Sequence, residues 1–427
     1  MALFYLPALA LLATPSVEVV GDWSIRVTAG ETSYTYSVPA ASGAVVVDEK
    51  YELPVFNPGA GGWAKGAALR GIKADECTAR TYLFGDTLVV KDAPGADGKP
   101  LTKGKEYEAD LDWGTVGRLA DGWGEGKPVW ISYRHGLSRI DSVVIARDGR
   151  PSYRIGQPHQ ALPKVPPLAD GESRLVNIWV PGRAEKLTEA SILPVLEAAY
   201  PEPPKPTPTV AEKLVPKALA KLQNGEKIRI LAWGDSVTDA GYLPNPATQR
   251  WQAQFVTRLR ERFPKADIEL INLGWGGRNT DSFLGEPPGS QWNYAEKVLG
   301  CKPDLIVSEF VNDAYMQPDV VETKYTKLLG DFQGIGAEWI ILTPHYVRGD
   351  WMGLDRERDI DQDPRPYVAG LRAFAAKHNI ALADASLRWG RLWRQGIPYS
   401  TLLSNAINHP DPAGMKLFAD ALMALFP

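Results

Sequence analysis

The pattern of hydrophobic and polar positions changes near residue 200. Residues 17–182 contain short runs rich in Val, Ile, Tyr and Trp, separated by Gly, Asp and Pro, which is typical of strands joined by tight turns. Asp148-Gly149, between two such runs, is a strong β-hairpin signal. We therefore expect an all-β domain over residues 1–200, sandwich-like or jelly-roll-like, with one helix at 187–199.

Residues 226–427 alternate apolar strand-length runs with helix-length segments. This alternation is typical of a parallel, doubly wound sheet with helices on both faces. The predicted strands are 228–233, 267–272, 304–310, 339–343 and 380–384, and the predicted helices are about 248–263, 318–333, 366–378 and 411–425.

A Pro-rich segment, PEPPKPTPT, lies between the two regions at 201–209. Such a composition gives a semi-rigid, extended linker. A helix is predicted next, at 210–223, and Gly225 is expected to end it. We therefore predict a linker and helix over 201–225, between the β domain and the α/β domain.

Composition excludes some classes of protein. Apolar residues make up 44% and charged residues 23%, a globular balance, and the net charge of −4 gives no indication of nucleic-acid binding. The apolar run at 2–13 is similar to the core of a secretory signal, although no Lys or Arg precedes it, and it is too short to span a membrane. This favours export over a cytoplasmic location and predicts no transmembrane segment. Cys77 and Cys301 lack metal-site spacing and are expected to be free thiols.

Four polar motifs follow predicted strands or begin the last helix. They are Gly234-Asp235-Ser236, NLGWGGRNT at 272–280, Asn312-Asp313 and Asn408-His409-Pro410. Because the carboxyl ends of parallel strands meet at one edge of a sheet, we expect these motifs to share one crevice.

These residue types suit acyl transfer. A serine hydroxyl needs a base at neutral pH, for which histidine is best suited. The tetrahedral intermediate carries a negative oxygen that needs preorganised donors, such as a glycine N–H and an asparagine amide. Ser236, His409, Gly277 and Asn312 supply this set, with His345, after another strand, as the rival base. No metal or cofactor is predicted.

The segments GDSVT, NLGWGG, VND and HP, in this order, resemble the four blocks of the SGNH, or GDSL-type, hydrolase superfamily, over residues 226–427. The resemblance implies a flavodoxin-like three-layer α/β fold, with Ser236 as nucleophile and His409 as base. It also implies an oxyanion hole made by the N–H groups of Ser236 and Gly277 and the Asn312 side chain.

The sequence departs from that pattern at two positions. Phe310 stands where the third block usually has glycine. Ala406 stands three residues before the histidine, where the superfamily has its acid. An asparagine can orient an imidazole but cannot stabilise its charge as a buried carboxylate does. The residues considered for orienting His409 are Asn405, Asn408 and Asp411, of which Asp411 is better placed to cap the last helix.

The side chains predicted to line the site, in the motifs and in the loops that follow strands, are aromatic and charged. The aromatic residues proposed to bind substrate are Trp275, Trp292, Tyr315 and Trp351. A long acyl chain would need an aliphatic groove. The layout is also similar to that of two-domain carbohydrate acetyl esterases. We therefore expect a serine esterase for short-chain acyl esters, with O-acetyl groups on a small-molecule or polysaccharide carbohydrate as substrate.

Two alternatives remain open. One is a lipid or aryl esterase, thioesterase or lysophospholipase of the same fold. The other is a non-catalytic glycan-binding protein, for which the alanine at position 406 is the support. Two Gly-rich loops of the β domain, NPGAGGWAKG at 57–66 and DGWGEG at 121–126, each contain a tryptophan. We expect ordinary loops anchored by that tryptophan, with sugar contact as the alternative.

Overall fold

The structure is a computed structural model that describes residues 16–75 and 77–427. The apolar run at 2–13, which carries the export prediction, lies outside the described residues. The chain divides into two compact units. The first unit runs to Ile72 and resumes over Arg80–Leu196, and the second contains Lys73–Ala79 and Glu197–Pro427. The segment at 73–79 thus groups with the second unit, although it precedes the predicted linker.

The described part of the first two hundred residues is built of strands. The strands are β1 Ser16–Gly21, β2 Ser24–Ala29, β3 Thr32–Ser37, β4 Ser42–Glu52, β5 Ala67–Ala68, β6 Lys73–Ala74, β7 Cys77–Thr78, β8 Leu83–Lys91, β9 Tyr107–Asp110, β10 Thr115–Arg118, β11 Pro128–Leu137, β12 Arg139–Ile145, β13 Pro151–Arg154, β14 Ser173–Val180 and β15 Ile192–Pro194. Of these, β6 and β7 belong to the second unit.

The strands of the first unit form small antiparallel sheets around two cores. The sheets have the orders β1-β2-β3, β5-β10-β9, β4-β11-β8 and β13-β12-β14-β15. Ile25, Val143 and Ile178 pack in one core, and Val116 and Ile131 pack in the other. Apolar side chains from different sheets thus face each other, as in a β-sandwich. The all-β prediction is confirmed.

The first unit confirms one local prediction and contradicts another. The hairpin at Asp148-Gly149 is confirmed, since β12 pairs with β13 across it and Gly149 has a φ of +82°. The helix predicted at 187–199 is wrong. Only a single 3-10 turn forms, at Glu189–Ser191, and β15 follows it and pairs with β14. Ile192 and Leu193 are buried by this pairing, which outweighs their helical periodicity.

The second unit alternates strands and helices. Its remaining strands are β16 Lys227–Gly234, β17 Asp267–Gly274, β18 Leu305–Glu309, β19 Glu338–Leu342 and β20 Ala381–Ala383. Its helices are α1 Val210–Leu214, α2 Pro216–Asn224, α3 Ser236–Asp239, α4 Pro246–Gln249, α5 Trp251–Arg262, α6 Thr280–Gly285, α7 Pro318–Gly334, α8 Gly349–Met352, α9 Pro366–His378, α10 Ala385–Gly390 and α11 Pro412–Met423.

The five strands β16 to β20 form one parallel sheet in the order β17-β16-β18-β19-β20. The chain starts near the middle of the sheet, moves to one edge and then returns across to the other. This is the flavodoxin-like order, whose crevice lies where the direction of winding reverses, beside the first strand of the sheet. That strand, β16, ends in the predicted nucleophile motif.

Helices cover both faces of the sheet. On one face α7 packs against α9, and Leu231 and Trp233 of β16 join Tyr325 and Phe374 of these helices in a buried core. On the other face α5 packs against α11. The predicted three-layer α/β fold is confirmed, and most of β16 is buried between the two helical layers.

The predicted elements of the second unit are confirmed to within a few residues, with one correction. The helix expected at 210–223 is two helices, because Pro216 lacks the N–H that a continuous helix would need and starts α2 instead. Gly225 ends α2 in the left-handed conformation, as predicted. Among the residues that the structure describes, no helix is both long and apolar enough to cross a membrane.

Candidate active site

Ser236 lies just after the end of β16, on a turn that leaves no room for a side chain at Gly234. A Cβ on Gly234 would lie 2.2 Å from the Glu309 carbonyl oxygen, so only glycine fits there. Asp235 caps α3 by accepting a hydrogen bond from the Val237 N–H at 3.0 Å. Ser236 is the first residue of α3, so its own N–H has no acceptor within that helix. The serine hydroxyl is therefore presented at a helix start, beside an available N–H.

His409 contacts Ser236 directly. Its Nε2 lies 3.1 Å from the Ser236 Oγ, which is hydrogen-bond distance. Its ring stacks on Tyr242, with ring centres 4.2 Å apart and planes only 5° apart. The Tyr242 hydroxyl donates to the carbonyl of Pro410, the next residue along the chain. Tyr242 thus fixes the imidazole plane and the chain that carries it.

The turn before His409 is held by Asn405. Its Oδ1 accepts hydrogen bonds from the N–H groups of Ile407, Asn408 and His409, at 2.9 to 3.0 Å. Ala406 lies within this turn with a φ of +56°, in the left-handed region. Asn405 therefore positions His409 through the backbone, and the alanine at 406 supplies no carboxylate.

The other polar candidates around His409 have different contacts. Asp411 accepts a hydrogen bond from the Gly414 N–H and caps α11, and burial raises its pKa to about 6. His345 is fully buried, and its Nε2 lies 2.8 Å from the Asn408 carbonyl oxygen. Burial lowers the pKa of His345 well below its usual value. A neutral His345 donates to Asn408 and supports the same turn, whereas His409 is the histidine that contacts Ser236.

Asp235 connects the serine turn to Asn312. Its Oδ2 accepts a hydrogen bond from the Asn312 backbone N–H at 2.9 Å. The Asn312 Nδ2 donates to the Arg278 carbonyl at 3.0 Å. A primary amide carries two N–H groups, so this bond orients the amide and leaves the second N–H for another acceptor.

The glycine turn after β17 lies beside the same serine. A Cβ built on Gly276 would lie 3.9 Å from the Ser236 Cβ. Gly277 has a φ of +71°, and a Cβ there would meet no atom within 4 Å. The Gly277 backbone therefore borders open space next to Ser236. The structure brings together the four residues predicted for the chemistry, which are Ser236, Gly277, Asn312 and His409.

Three carboxyl groups are buried beneath these residues. Burial raises the pKa of Asp235 to about 6, although the N–H groups of Asn312 and Val237 oppose the shift. Burial and the nearby Asp235 raise the pKa of Glu309 well above its usual value. Burial raises the pKa of Asp313 to about 7, and its Oδ1 accepts from the Thr280 N–H and hydroxyl.

The predicted aromatic residues separate into two groups. Trp275 and Trp292 stack with ring centres 5.0 Å apart, and the Arg278 guanidinium lies over Trp275. Both rings are partly buried against the core of the α7 and α9 face. Tyr315 and Trp351 are instead exposed, and Tyr315 donates to the Asp281 carboxylate. The second pair thus presents ring surface to solvent, whereas the first is mainly packed within the domain.

Two positioning residues, Asp235 and Tyr242, are not among those predicted from the sequence. The place of Asp235 between a strand and a helix start is nevertheless a signal for a capping side chain. Tyr242 stacks on His409 from 167 positions earlier in the chain, and no sequence signal links the two residues. Within the described residues, no group of three or more His, Cys, Asp or Glu side chains could hold a metal ion.

Residues 232–417 match the model of the GDSL-like Lipase/Acylhydrolase family. Residues 232–417 of the second unit are a GDSL-like lipase/acylhydrolase domain. The matched range includes Ser236, Gly277, Asn312 and His409, and the family's activity makes the protein a carboxylic ester hydrolase. No curated protein matches the chain by sequence.

Solved structures similar to the chain include three esterases or hydrolases. An acetylxylan esterase from Geobacillus stearothermophilus is 21% identical, with 47% of this chain and 95% of that chain covered and a TM-score of 0.37. An α/β hydrolase from the metagenome of Lake Arreo, Spain, is 20% identical, with 46% and 94% covered and a TM-score of 0.36. A two-domain esterase active on acetylated mannans is 17% identical, with 50% and 53% covered and a TM-score of 0.39.

Proposed function

We propose that the GDSL-like domain hydrolyses short-chain acyl esters, with O-acetyl groups on carbohydrate as its substrate, through an acyl-enzyme on Ser236. The observation that carries this proposal is the 3.1 Å contact between Ser236 Oγ and His409 Nε2, at a helix start bordered by Gly277 and Asn312. A nucleophile in contact with a base, beside donors for a negative oxygen, is the arrangement that acyl transfer requires.

In the proposed reaction, His409 Nε2 takes the hydroxyl proton as Ser236 Oγ bonds to the ester carbonyl carbon. The carbonyl oxygen becomes negative and accepts hydrogen bonds from the Ser236 and Gly277 N–H groups and the Asn312 amide. Collapse of this intermediate expels the alcohol, which receives the proton from His409. Water then attacks the acyl-enzyme by the same route, releasing the carboxylic acid and restoring Ser236.

The charge that develops on His409 needs a counterpart, since the alanine at 406 cannot supply one. We assign this role to Asp235, whose charge interacts with that of His409 and which is buried beside Ser236. An anion in a low-dielectric site stabilises an imidazolium through space. Stacking on Tyr242 and the Asn405 turn support the orientation of the His409 ring.

The carbohydrate assignment is supported by the side chains that the domain presents to solvent. Trp351 is 49% exposed with the Arg348 guanidinium over its ring, and Tyr315 is 55% exposed with Lys324 over its ring. Flat rings flanked by charged hydrogen-bonding groups suit sugar rings and hydroxyl groups, whereas a long acyl chain would need an aliphatic lining.

Acetate release from acetylated xylan, mannan and pectin, together with a series of 4-nitrophenyl esters from acetyl to octanoyl, tests the proposal. We expect acetate from at least one polysaccharide and a kcat/KM that falls from acetyl to octanoyl. A higher kcat/KM for octanoyl than for acetyl would instead support a lipid esterase. No serine-dependent turnover of any ester would overturn the proposal.

A further inference from the structure

The first unit contains a tryptophan, Trp63, whose side chain is exposed to solvent. Trp63, in the Gly-rich loop at 57–66, is 41% exposed, whereas the neighbouring Trp113 is only 8% exposed. Trp123, in the second Gly-rich loop, donates its indole N–H to the Lys127 carbonyl and packs against the core. Trp123 is therefore the anchor that we expected of such loops, and Trp63 differs from it.

The loop that carries Trp63 is held rigidly. The Asn57 N–H donates to the Lys65 carbonyl at 2.8 Å and closes the loop. The buried Thr115 hydroxyl donates to the Gly62 carbonyl at 3.0 Å. The Lys65 ammonium pairs with Asp110 at 2.8 Å. Because the loop is already ordered, a ligand that binds to it need not offset the cost of ordering it.

Two glycines make room for the two tryptophan rings. A Cβ on Gly61 would lie 2.8 Å from the Trp63 ring, and one on Gly62 would lie 1.9 Å from Trp113. The two rings meet edge to face, with centres 5.2 Å apart and planes at 63°. The Trp63 ring is thus supported by backbone and by Trp113 while a large part of its surface stays in solvent.

We propose that Trp63 is a sugar-binding platform of the first unit, on which a pyranose ring of a neutral polysaccharide stacks. A flat, preordered indole offers apolar area to the C–H groups of a sugar face at low entropic cost. The paired Lys65 and Asp110 are partly exposed and can hydrogen-bond sugar hydroxyls without a net charge that would select an acidic chain. This inference rests on the proposed function, because it assigns the first unit to the polymer whose acetyl groups the second unit removes.

The test is the affinity of the full chain for polysaccharide in the absence of turnover. In an S236A background, affinity electrophoresis in gels containing acetylated xylan, acetylated glucomannan or β-glucan gives a Kd for each polymer. We expect W63A and W63L to weaken binding to at least one polymer by about tenfold, and W63Y, which keeps a flat ring, to stay within about threefold of the parent. Leucine in W63L keeps an apolar side chain beside Trp113 but has no flat ring. W63L therefore tests the inference even if W63A is destabilised.

Leu168→Ala is the matched control, since Leu168 is 42% exposed on the same unit, and it should bind as the parent does. Unchanged affinity in W63L and W63A, or no binding of any of these polymers by the parent, would overturn the inference. Failure of the proposed function would appear separately, as absence of acetate release by the wild-type protein.

Discussion

Catalysis at the residue scale depends on which imidazole takes the Ser236 proton. We expect His409→Ala to lower kcat for an acetyl ester by about four to six orders of magnitude, because the members of one catalytic unit fail together. His345→Gln should retain at least a tenth of wild-type kcat, since a glutamine N–H can still donate to the Asn408 carbonyl. Steady-state kinetics of both variants, with thermal unfolding as a check on folding, decides whether His409 or His345 is the base. The opposite ranking would make His345 the base.

The oxyanion donors give a second prediction at this scale. Asn312→Ala removes one donor and should lower kcat by about 10²–10³ with little change in KM, because the lost bond forms mainly in the transition state. Gly277→Val should also lower kcat, for a different reason. Since Gly277 has a φ of +71°, a β-branched residue would force its backbone away from the position that aims the N–H. Full activity in Asn312→Ala would show that other groups hold the negative oxygen.

At the scale of elements, the turn at 405–409 positions His409 through its backbone. Asn405→Ala leaves three N–H groups without this acceptor, and we expect a loss of about 1–3 kcal/mol in stability together with a lower kcat. Asn405→Asp keeps the acceptor oxygens and is the matched variant, which should recover most of the kcat. Denaturant unfolding and kinetics on the same preparations measure both effects. If Asn405→Ala were as active as wild type, the turn would not be what positions His409.

The same scale shows what the sequence could predict. Apolar runs predict strands β16 to β20, because a strand that is buried on both faces needs apolar side chains on both. The helix expected at 187–199 failed because pairing of Ile192 and Leu193 with β14 is a contact distant in the chain, which periodicity does not reveal. The four residues proposed for the chemistry stand out in the sequence, since each follows a strand or precedes a helix. The stacking of Tyr242 on His409 depends on tertiary packing alone, which the sequence does not reveal.

For the whole molecule, the buried carboxyl groups predict how stability depends on pH. Asp313 has a folded-state pKa of about 7, above the unfolded value of about 3.9, so the folded state binds more protons between these pH values. Stability should therefore decrease as pH rises from about 4 to about 7. Asn at position 313 can still accept the Thr280 hydrogen bonds but does not titrate.

Asp313→Asn should accordingly reduce the fall in the Tm of the second unit between pH 5 and pH 8, as scanning calorimetry would show. Asp121→Asn, at an exposed position, should keep the wild-type dependence on pH. An Asp313→Asn profile as steep as that of wild type would mean that Asp313 does not titrate in this range. Asp235 and Glu309 would then have to account for any slope that remains.

The most direct test of the proposed chemistry is to trap the acyl-enzyme. Wild-type protein is mixed with 4-nitrophenyl acetate, quenched in acid within the first turnovers, digested and analysed by mass spectrometry. We predict one acetyl group on the peptide that contains Ser236, and none on that peptide in Ser236→Ala. An acetyl group on another residue of an active enzyme, or turnover by Ser236→Ala at more than about a tenth of the wild-type rate, would contradict the assignment of Ser236 as nucleophile.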